Sequence, residues 1–211
     1  LWFNMYYDPS LQSYEVDVWR HALGGGRMNF HPPYPRPQGS DPWSLAESRV
    51  LRAAARIGLL DAISSAPVYC PVAVVFGHAC AMNWAGPAYN NVGLGVASAL
   101  CAKGYPADLI PSSLVASKAL KMDADGYVCL GPQRYQAVVL YQPEFGDEAE
   151  LAFFSRAAAG KSALFLVGDW TKNFEARPLD AKTRLGAKVQ TCADDDACVG
   201  AVMRQLGDAG V

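Results

Sequence analysis

The sequence has few charged residues, and it lacks the patterns on which several classes of protein depend. Asp, Glu, Lys and Arg make up 18% of the 211 residues, the formal net charge is −2, and no block of Lys or Arg occurs. Proteins that bind nucleic acid need a basic patch, so nucleic acid is not expected as a partner. No apolar run approaches the ~20 residues of a membrane span, so no membrane is expected either.

Cysteine and histidine are too scattered to form a metal centre. The six cysteines include no Cys-x-x-Cys pair, and three histidines occur far apart, so neither a metal nor a cofactor is expected. Cys80, Cys101 and Cys129 lie in apolar stretches and are predicted to be small buried hydrophobes. Cys192 and Cys198 flank a short polar run and either close a disulfide loop or stay free. A disulfide favours export and free thiols favour the cytoplasm, so the localisation stays open.

The chain is rich enough in apolar residues for a sizeable core, but its ends are unusual. Hydrophobic residues make up 51% of the sequence, and the length suits one large domain or slightly more. The chain opens on LWFNMYYD without an initiator Met or a signal-type stretch, and it closes on QLGDAGV. We therefore expect a fragment of a longer polypeptide.

Residues 1–43 differ in character from the rest. A helix is predicted over 13–23 because it ends at three glycines, and a short strand is predicted over 27–30. A proline-rich loop follows, which suits the last unit of a preceding domain built from strands and helices. A linker helix is predicted within 44–67, since Ser44 and Glu47 match a capping box ahead of helically spaced apolar residues.

From residue 68 onward, strands and helices alternate. Continuous apolar strands are predicted at 72–76, 137–141 and 162–168, helices at 92–102, 147–159 and 194–206, a short strand at 107–110, and a hairpin at 120–131. Fully apolar strands separated by helices indicate a parallel sheet that is covered on both faces. The fold class is therefore α/β, a doubly wound parallel sheet over 68–211 with a helical and loop extension at its N-terminus. The elements between 171 and 190 stay open.

The loop after the first of these strands, Gly77–Asn91, is the most ligand-like segment. Doubly wound sheets bind ligands at the carboxyl ends of their strands, and this loop carries His78, Cys80, Asn83 and Trp84. It lacks the closely spaced glycines and hydroxyls of a phosphate cradle. In an extended segment His78 and Cys80 would share a face, although no oxyanion hole or orienting group accompanies them. These residues are the candidates for an alternative function as a small-molecule-binding module or hydrolase.

Carboxylates follow two of the buried strands. Glu144 and Asp169 stand where a pair of acids would suit chemistry on sugars, which needs two carboxylates facing one another. The competing interpretation is that both are solvated loop acids or helix caps. Asp123 and Asp125 are predicted to form the hairpin turn, because the remaining ligands of a calcium loop are missing.

The order of segments resembles a known family of glycosidases. The run YEVDVWRHALGGGRMNFHPPYP resembles the last helix–strand unit of the TIM barrel in family 42 β-galactosidases and related bacterial glycoside hydrolases. The run RYQAVVLYQPEFGDEAELAFFSRAAAGKSALFLVGDW is similar to their second domain, a flavodoxin-like fold of the class I glutamine amidotransferase type that is often called the trimerisation domain. The resemblance implies a barrel remnant over 1–43, a linker helix over 44–67 and an accessory domain over 68–211.

Two departures from that pattern concern catalysis. Class I amidotransferases carry a nucleophilic Cys in a G-x-C-x-G turn, whereas this chain has Gly168-Asp169-Trp170 after its strand. The glycosidases place their two catalytic glutamates after barrel strands that precede this segment. The resemblance therefore implies no catalytic residue here. The hairpin at 120–131 looks like an insertion, which suggests a less typical related family.

The resemblance also implies partners and an edge of a sugar site. Such domains pack beside the catalytic barrel of the same parent chain, form oligomers of identical chains and sometimes wall off a carbohydrate site. Asn29, His31 and Tyr34 follow the predicted final barrel strand and are the candidates to edge that pocket. The alternative for each is packing against the linker helix.

Overall fold

A computed structural model describes residues 68–83 and 91–210, together with the short stretches 2–4, 16, 19, 27–29, 52–53 and 55–59. The chain divides into two units, Leu1–Pro67 and Val68–Val211, so that the boundary falls between Pro67 and Val68.

In the first unit, two short strands pair in parallel. Strand β1 (Trp2–Asn4) lies beside β2 (Arg27–Asn29), with Phe3 opposite Met28. The strand predicted at 27–30 is thus confirmed, while β1 was not predicted. Parallel neighbours need a long crossover connection, and residues 16 and 19 within it are helical. Residues 52–53 and 55–59 are also helical, inside the predicted linker helix, whose remainder lies outside the described residues.

The second unit contains eight described strands. In chain order they are β3 (Val72–Phe76), β4 (Ala107–Pro111), β5 (Leu120–Met122), β6 (Val128–Leu130), β7 (Gln133–Tyr135), β8 (Ala137–Tyr141), β9 (Ala163–Val167) and β10 (Gln190–Cys192). Five of them form one sheet in the order β4-β3-β8-β9-β10, and every neighbouring pair is parallel. Numbered by appearance, this order is 2-1-3-4-5, the strand order of flavodoxin-like folds.

Helices cover both faces of this sheet. They are α1 (His78–Met82), α2 (Leu94–Ala102), α3 (Glu148–Ala158), α4 (Ala181–Leu185) and α5 (Asp195–Asp208), with a 3₁₀ turn at Ser112–Leu114. Side chains alternate along β3, so Ala73 and Val75 join the core beneath α3 and α4, while Val72 and Val74 join the core beneath α2 and α5. The predicted doubly wound α/β sheet is confirmed. No described helix is long and apolar enough to cross a membrane.

The helix predicted at 147–159 begins with a reciprocal cap. The Asp147 side chain accepts a hydrogen bond from the Glu150 backbone N–H at 2.7 Å, and Glu150 accepts one from the Asp147 N–H at 3.2 Å. These bonds satisfy two N–H groups that have no partner inside the helix. Helix α2 starts at Leu94, two residues later than predicted, because Gly93 adopts a left-handed conformation with φ +82°.

The predicted hairpin is confirmed, and it carries a third strand. β5, β6 and β7 form a separate antiparallel sheet. The Asp123 carboxylate accepts hydrogen bonds from the backbone N–H groups of Asp125 and Tyr127, as expected of a turn-forming residue. β7 was not predicted, because its sequence QRY carries no apolar pattern of its own.

Candidate functional site

A doubly wound sheet binds ligands where neighbouring strands send their connections to opposite faces. In this order the switch point lies between β3 and β8, at their carboxyl ends. The segments that leave these strands touch: the Gly77 N–H donates a hydrogen bond to the Tyr141 carbonyl at 3.2 Å. A Cβ atom at Gly77 would lie 2.7 Å from the Gln142 carbonyl oxygen. Among the described residues, the chain itself therefore fills this part of the crevice.

The structure separates the predicted pair His78 and Cys80. The segment after β3 is helix α1 rather than extended chain, and residues two apart on a helix point about 200° apart. Cys80 is fully buried, and its Sγ accepts a hydrogen bond from the Phe145 N–H at 3.4 Å. Burial raises the pKa of the Cys80 thiol, and the nearby carboxylates of Glu144 and Glu150 raise it further. The helix therefore does not give His78 and Cys80 the shared face that an extended segment would provide. The neutral thiol that burial favours is a weak nucleophile.

A buried hydrogen-bonded chain lies beside Cys80. The His78 backbone N–H donates to Ser112 Oγ at 3.0 Å, and the Ser112 hydroxyl donates to Glu150 Oε1 at 2.6 Å. Glu150 is only 4% exposed. Burial raises the pKa of its carboxyl, and the bond from Ser112 opposes that effect in part. These hydrogen bonds join α1, the 3₁₀ turn and α3. In the sequence they are signalled only by the capping pattern around Asp147.

A second polar cluster lies on the face of the sheet that α2 and α5 cover. The Tyr141 hydroxyl donates to the Asp195 carboxylate at 2.9 Å and accepts from Asn91 Nδ2 at 2.7 Å. Burial and the Asp195 carboxylate raise the pKa of Tyr141 to about 12. Gly93 lies against the Tyr141 ring, and a Cβ atom there would come within 2.7 Å of Val74. Sequence analysis did not predict this cluster, whose members lie far apart in the chain.

Large side chains occupy the ends of β8 and β9. Gln142 adopts a left-handed conformation with φ 48°, and its amide lies against Gly168, where a Cβ atom would overlap it. The Trp170 ring packs on Gly146 in the same way and is 4% exposed. The corner that follows β8 and β9 is thus filled by packed side chains.

The two strand-end acids do not form a buried pair. The Glu144 carboxylate lies 3.8 Å from Lys172 Nζ, while Asp169 is exposed. A glycosidase general acid needs an apolar environment that keeps its proton near neutral pH. Exposure at Asp169 and a lysine partner at Glu144 favour the interpretation of both as loop acids.

The remaining candidates have no common site in the described part of the chain. The Asn83 side chain is exposed and donates to the Ala79 carbonyl of its own helix at 2.9 Å. Asn29 is the last residue of β2, and only its backbone is described. Trp84, His31 and Tyr34 lie outside the described residues.

Cys192 and Cys198 lie close together as free thiols. Both are buried in the core beneath α2 and α5, and neither forms a disulfide. Burial raises the pKa of each thiol, and Cys192 raises that of Cys198 further. Of the two possibilities left open by the sequence, the structure shows the free form.

Comparison with known proteins finds a likeness in structure. The chain is similar to an exo-carrageenase GH42 from Bacteroides ovatus, with a TM-score of 0.67 and 13% sequence identity. The likeness covers 97% of this chain and 28% of that chain, so this chain spans little more than a quarter of the enzyme. No family model matches the sequence, and no curated protein matches it. The expected likeness in fold to part of a family 42 glycoside hydrolase is confirmed.

Proposed function

We propose that this chain is a non-catalytic accessory and oligomerisation domain of a modular bacterial glycoside hydrolase. The observation that carries the proposal is the likeness in fold, which extends over 97% of this chain but only 28% of the exo-carrageenase chain. The part of the exo-carrageenase chain that the likeness does not cover is long enough for a separate catalytic barrel. We infer that the parent of this chain has such a barrel and that this segment packs beside it.

The closed switch point supports a non-catalytic role. Cys80 is buried with a raised thiol pKa, and Gln142 and Trp170 fill the ends of the neighbouring strands. Catalysis on an acyl or glycosyl group needs an accessible nucleophile or a carboxylate pair. The described residues of Val68–Val211 provide neither at this edge.

The first unit supports a place at the edge of a sugar site. Barrels of alternating strands and helices build their active sites at the carboxyl ends of parallel strands. Asn29 ends β2, which pairs in parallel with β1, and His31 and Tyr34 follow it in sequence. We propose that these three residues line the rim of the parent enzyme's carbohydrate pocket.

Two measurements on the 211-residue chain test this function. We expect no hydrolysis of nitrophenyl-galactosides, and we expect self-association by analytical ultracentrifugation at micromolar concentration. The matched variants Cys80→Ser and Cys101→Ser separate chemistry from packing, because Cys80 lies at the switch point and Cys101 is exposed on α2. Turnover that Cys80→Ser abolishes and Cys101→Ser preserves would establish the alternative, an independent hydrolase that uses the Gly77–Asn91 loop.

A further inference from the structure

A groove of about 700 Å³ lies between strand β5 and helix α3. We call it the β5–α3 groove. Its apolar lining includes the buried Leu120 and Phe153 and the partly buried Met122 and Ala152. The volume falls within the usual range of ligand pockets, ~300–1,000 Å³.

Among the described residues that line the groove, every charged one is a cation. These residues are Lys118, Lys121 and Arg156, and all three are exposed. Among the described residues, none of their side chains forms a hydrogen bond or an ion pair. A local excess of three positive charges stands out in a chain whose formal net charge is −2.

Two acids near the groove in sequence are already paired elsewhere. Glu148, beside the groove residue Ala149, forms an ion pair with Arg184. Asp123, which follows β5 directly, lies 2.8 Å from Arg134 Nε. The three groove cations are therefore left to interact with solvent or with an external anion.

Strand β5 also has a free edge. Among the described strands it pairs only with β6, and the bond from the Asp123 N–H to the Tyr127 carbonyl fixes which residues of β5 exchange hydrogen bonds with β6. Lys121, two residues earlier, therefore directs its backbone groups toward β6. The backbone N–H and C=O groups of Leu120 and Met122 point away from β6. Such unpaired groups at the edge of a sheet can form hydrogen bonds with an added strand.

We propose that the β5–α3 groove binds an extended acidic segment of a partner protein, which adds a strand to the free edge of β5. In this mode the backbone bonds supply affinity, and alternate side chains supply specificity. Apolar side chains of the segment pack on Leu120 and Phe153, and its carboxylates pair with Lys121 and Arg156. This inference is independent of the proposed glycosidase role.

The test uses a fluorescent, end-capped peptide of alternating glutamate and valine, with binding to the full chain followed by anisotropy. The double variant Lys121→Glu with Arg156→Glu should weaken binding at least about tenfold, since both ion pairs become repulsions. A matched control, Lys188→Glu with Arg177→Glu, makes the same change of charge at exposed sites outside the groove. The control should bind within about twofold of the parent chain.

Hydrogen exchange distinguishes strand addition from simple attraction between charges. Bound peptide should protect the Met122 amide, which faces away from β6, and leave the Lys121 amide unchanged. Equal weakening in both charge-reversed variants would overturn the proposal. So would binding without protection of Met122, or equally tight binding of dextran sulfate that leaves Met122 unprotected, because either result indicates a general polyanion surface.

Discussion

The hydroxyl of Ser112 donates a 2.6 Å hydrogen bond to the carboxylate of Glu150, and both side chains are almost fully buried. This bond joins the turn after β4 to the first turn of α3. Because Ser112 also accepts from the His78 backbone, one hydroxyl ties together three segments at the carboxyl edge of the sheet. The edge where relatives of this fold bind ligands is thus fastened by internal polar contacts.

Removal of the Ser112 hydroxyl should therefore be costly. Ser112→Ala leaves the buried Glu150 carboxylate and the His78 N–H each without one partner, and we expect a loss of about 2–3 kcal/mol in the free energy of unfolding. Urea denaturation measures it. Ser117→Ala is the control, since that exposed hydroxyl bonds only to the Leu114 carbonyl and should cost under about 0.5 kcal/mol. Equal losses in the two variants would contradict this account of the edge.

Glu150 should also give stability a distinctive pH dependence. Burial raises its pKa above the ordinary 4.5, so the folded chain binds this proton more tightly than the unfolded chain. Its contribution is then greatest below pH 4.5 and is lost as pH rises through the raised pKa. Asp123, Glu148 and Asp180 have lowered pKa values and act in the opposite direction.

The variant Glu150→Gln isolates the effect of this one group. Unfolding of both proteins by urea between pH 4 and pH 8 gives the difference in stability at each pH. We expect the stability of Glu150→Gln, relative to that of the parent chain, to increase as pH rises, because glutamine carries no charge to bury. A difference that stays constant, or that moves the other way, would show that the carboxyl is not held in a desolvated site.

Tyr141 carries the second polar cluster, and its hydroxyl should contribute measurably. Tyr141→Phe removes the bonds to Asp195 and Asn91, for an expected loss of about 1–2 kcal/mol in the free energy of unfolding. Tyr105→Phe serves as control, because no hydrogen bond within the described residues involves its hydroxyl. If the two substitutions lower the midpoint of thermal unfolding equally, the cluster has no special role in holding α5 against the sheet.

Thiol reactivity tests the burial of the cysteines. Of the six, Cys101 is exposed, so the burial predicted for it is wrong, and the other five are buried. A thiol reagent should therefore label one site quickly and five slowly in the folded chain. Cys101→Ser should remove the fast phase. Complete denaturation without reductant should reveal six thiols; four would instead mean that Cys192 and Cys198 are joined in the purified protein.

Much of the sheet follows from continuous apolar runs. β3, β8 and β9 lie in its middle, so both faces of each strand are buried and the sequence reads as unbroken hydrophobic segments. β10 was missed because it is an edge strand of three residues, two of them exposed. Helix α1 was taken as loop, since five residues carry too little pattern to distinguish the two.

Sequence patterns could not predict the two polar clusters. Ser112 and Glu150 are 38 positions apart, and Tyr141 and Asp195 are 54 apart, so only the packing of strands and helices brings each pair together. The shared face considered for His78 and Cys80 required an extended chain, and the structure has a short helix there instead. By contrast, the turn at Asp123 depends on neighbouring residues and was predicted correctly.

We propose that this chain packs beside a sugar-cleaving barrel, and the genomic sequence upstream of the Leu1 codon tests that proposal most directly. We predict an open reading frame that continues into a barrel of alternating strands and helices, with two glutamates at the carboxyl ends of its strands. An upstream frame that encodes an unrelated domain, or a barrel without that pair of glutamates, would contradict the account.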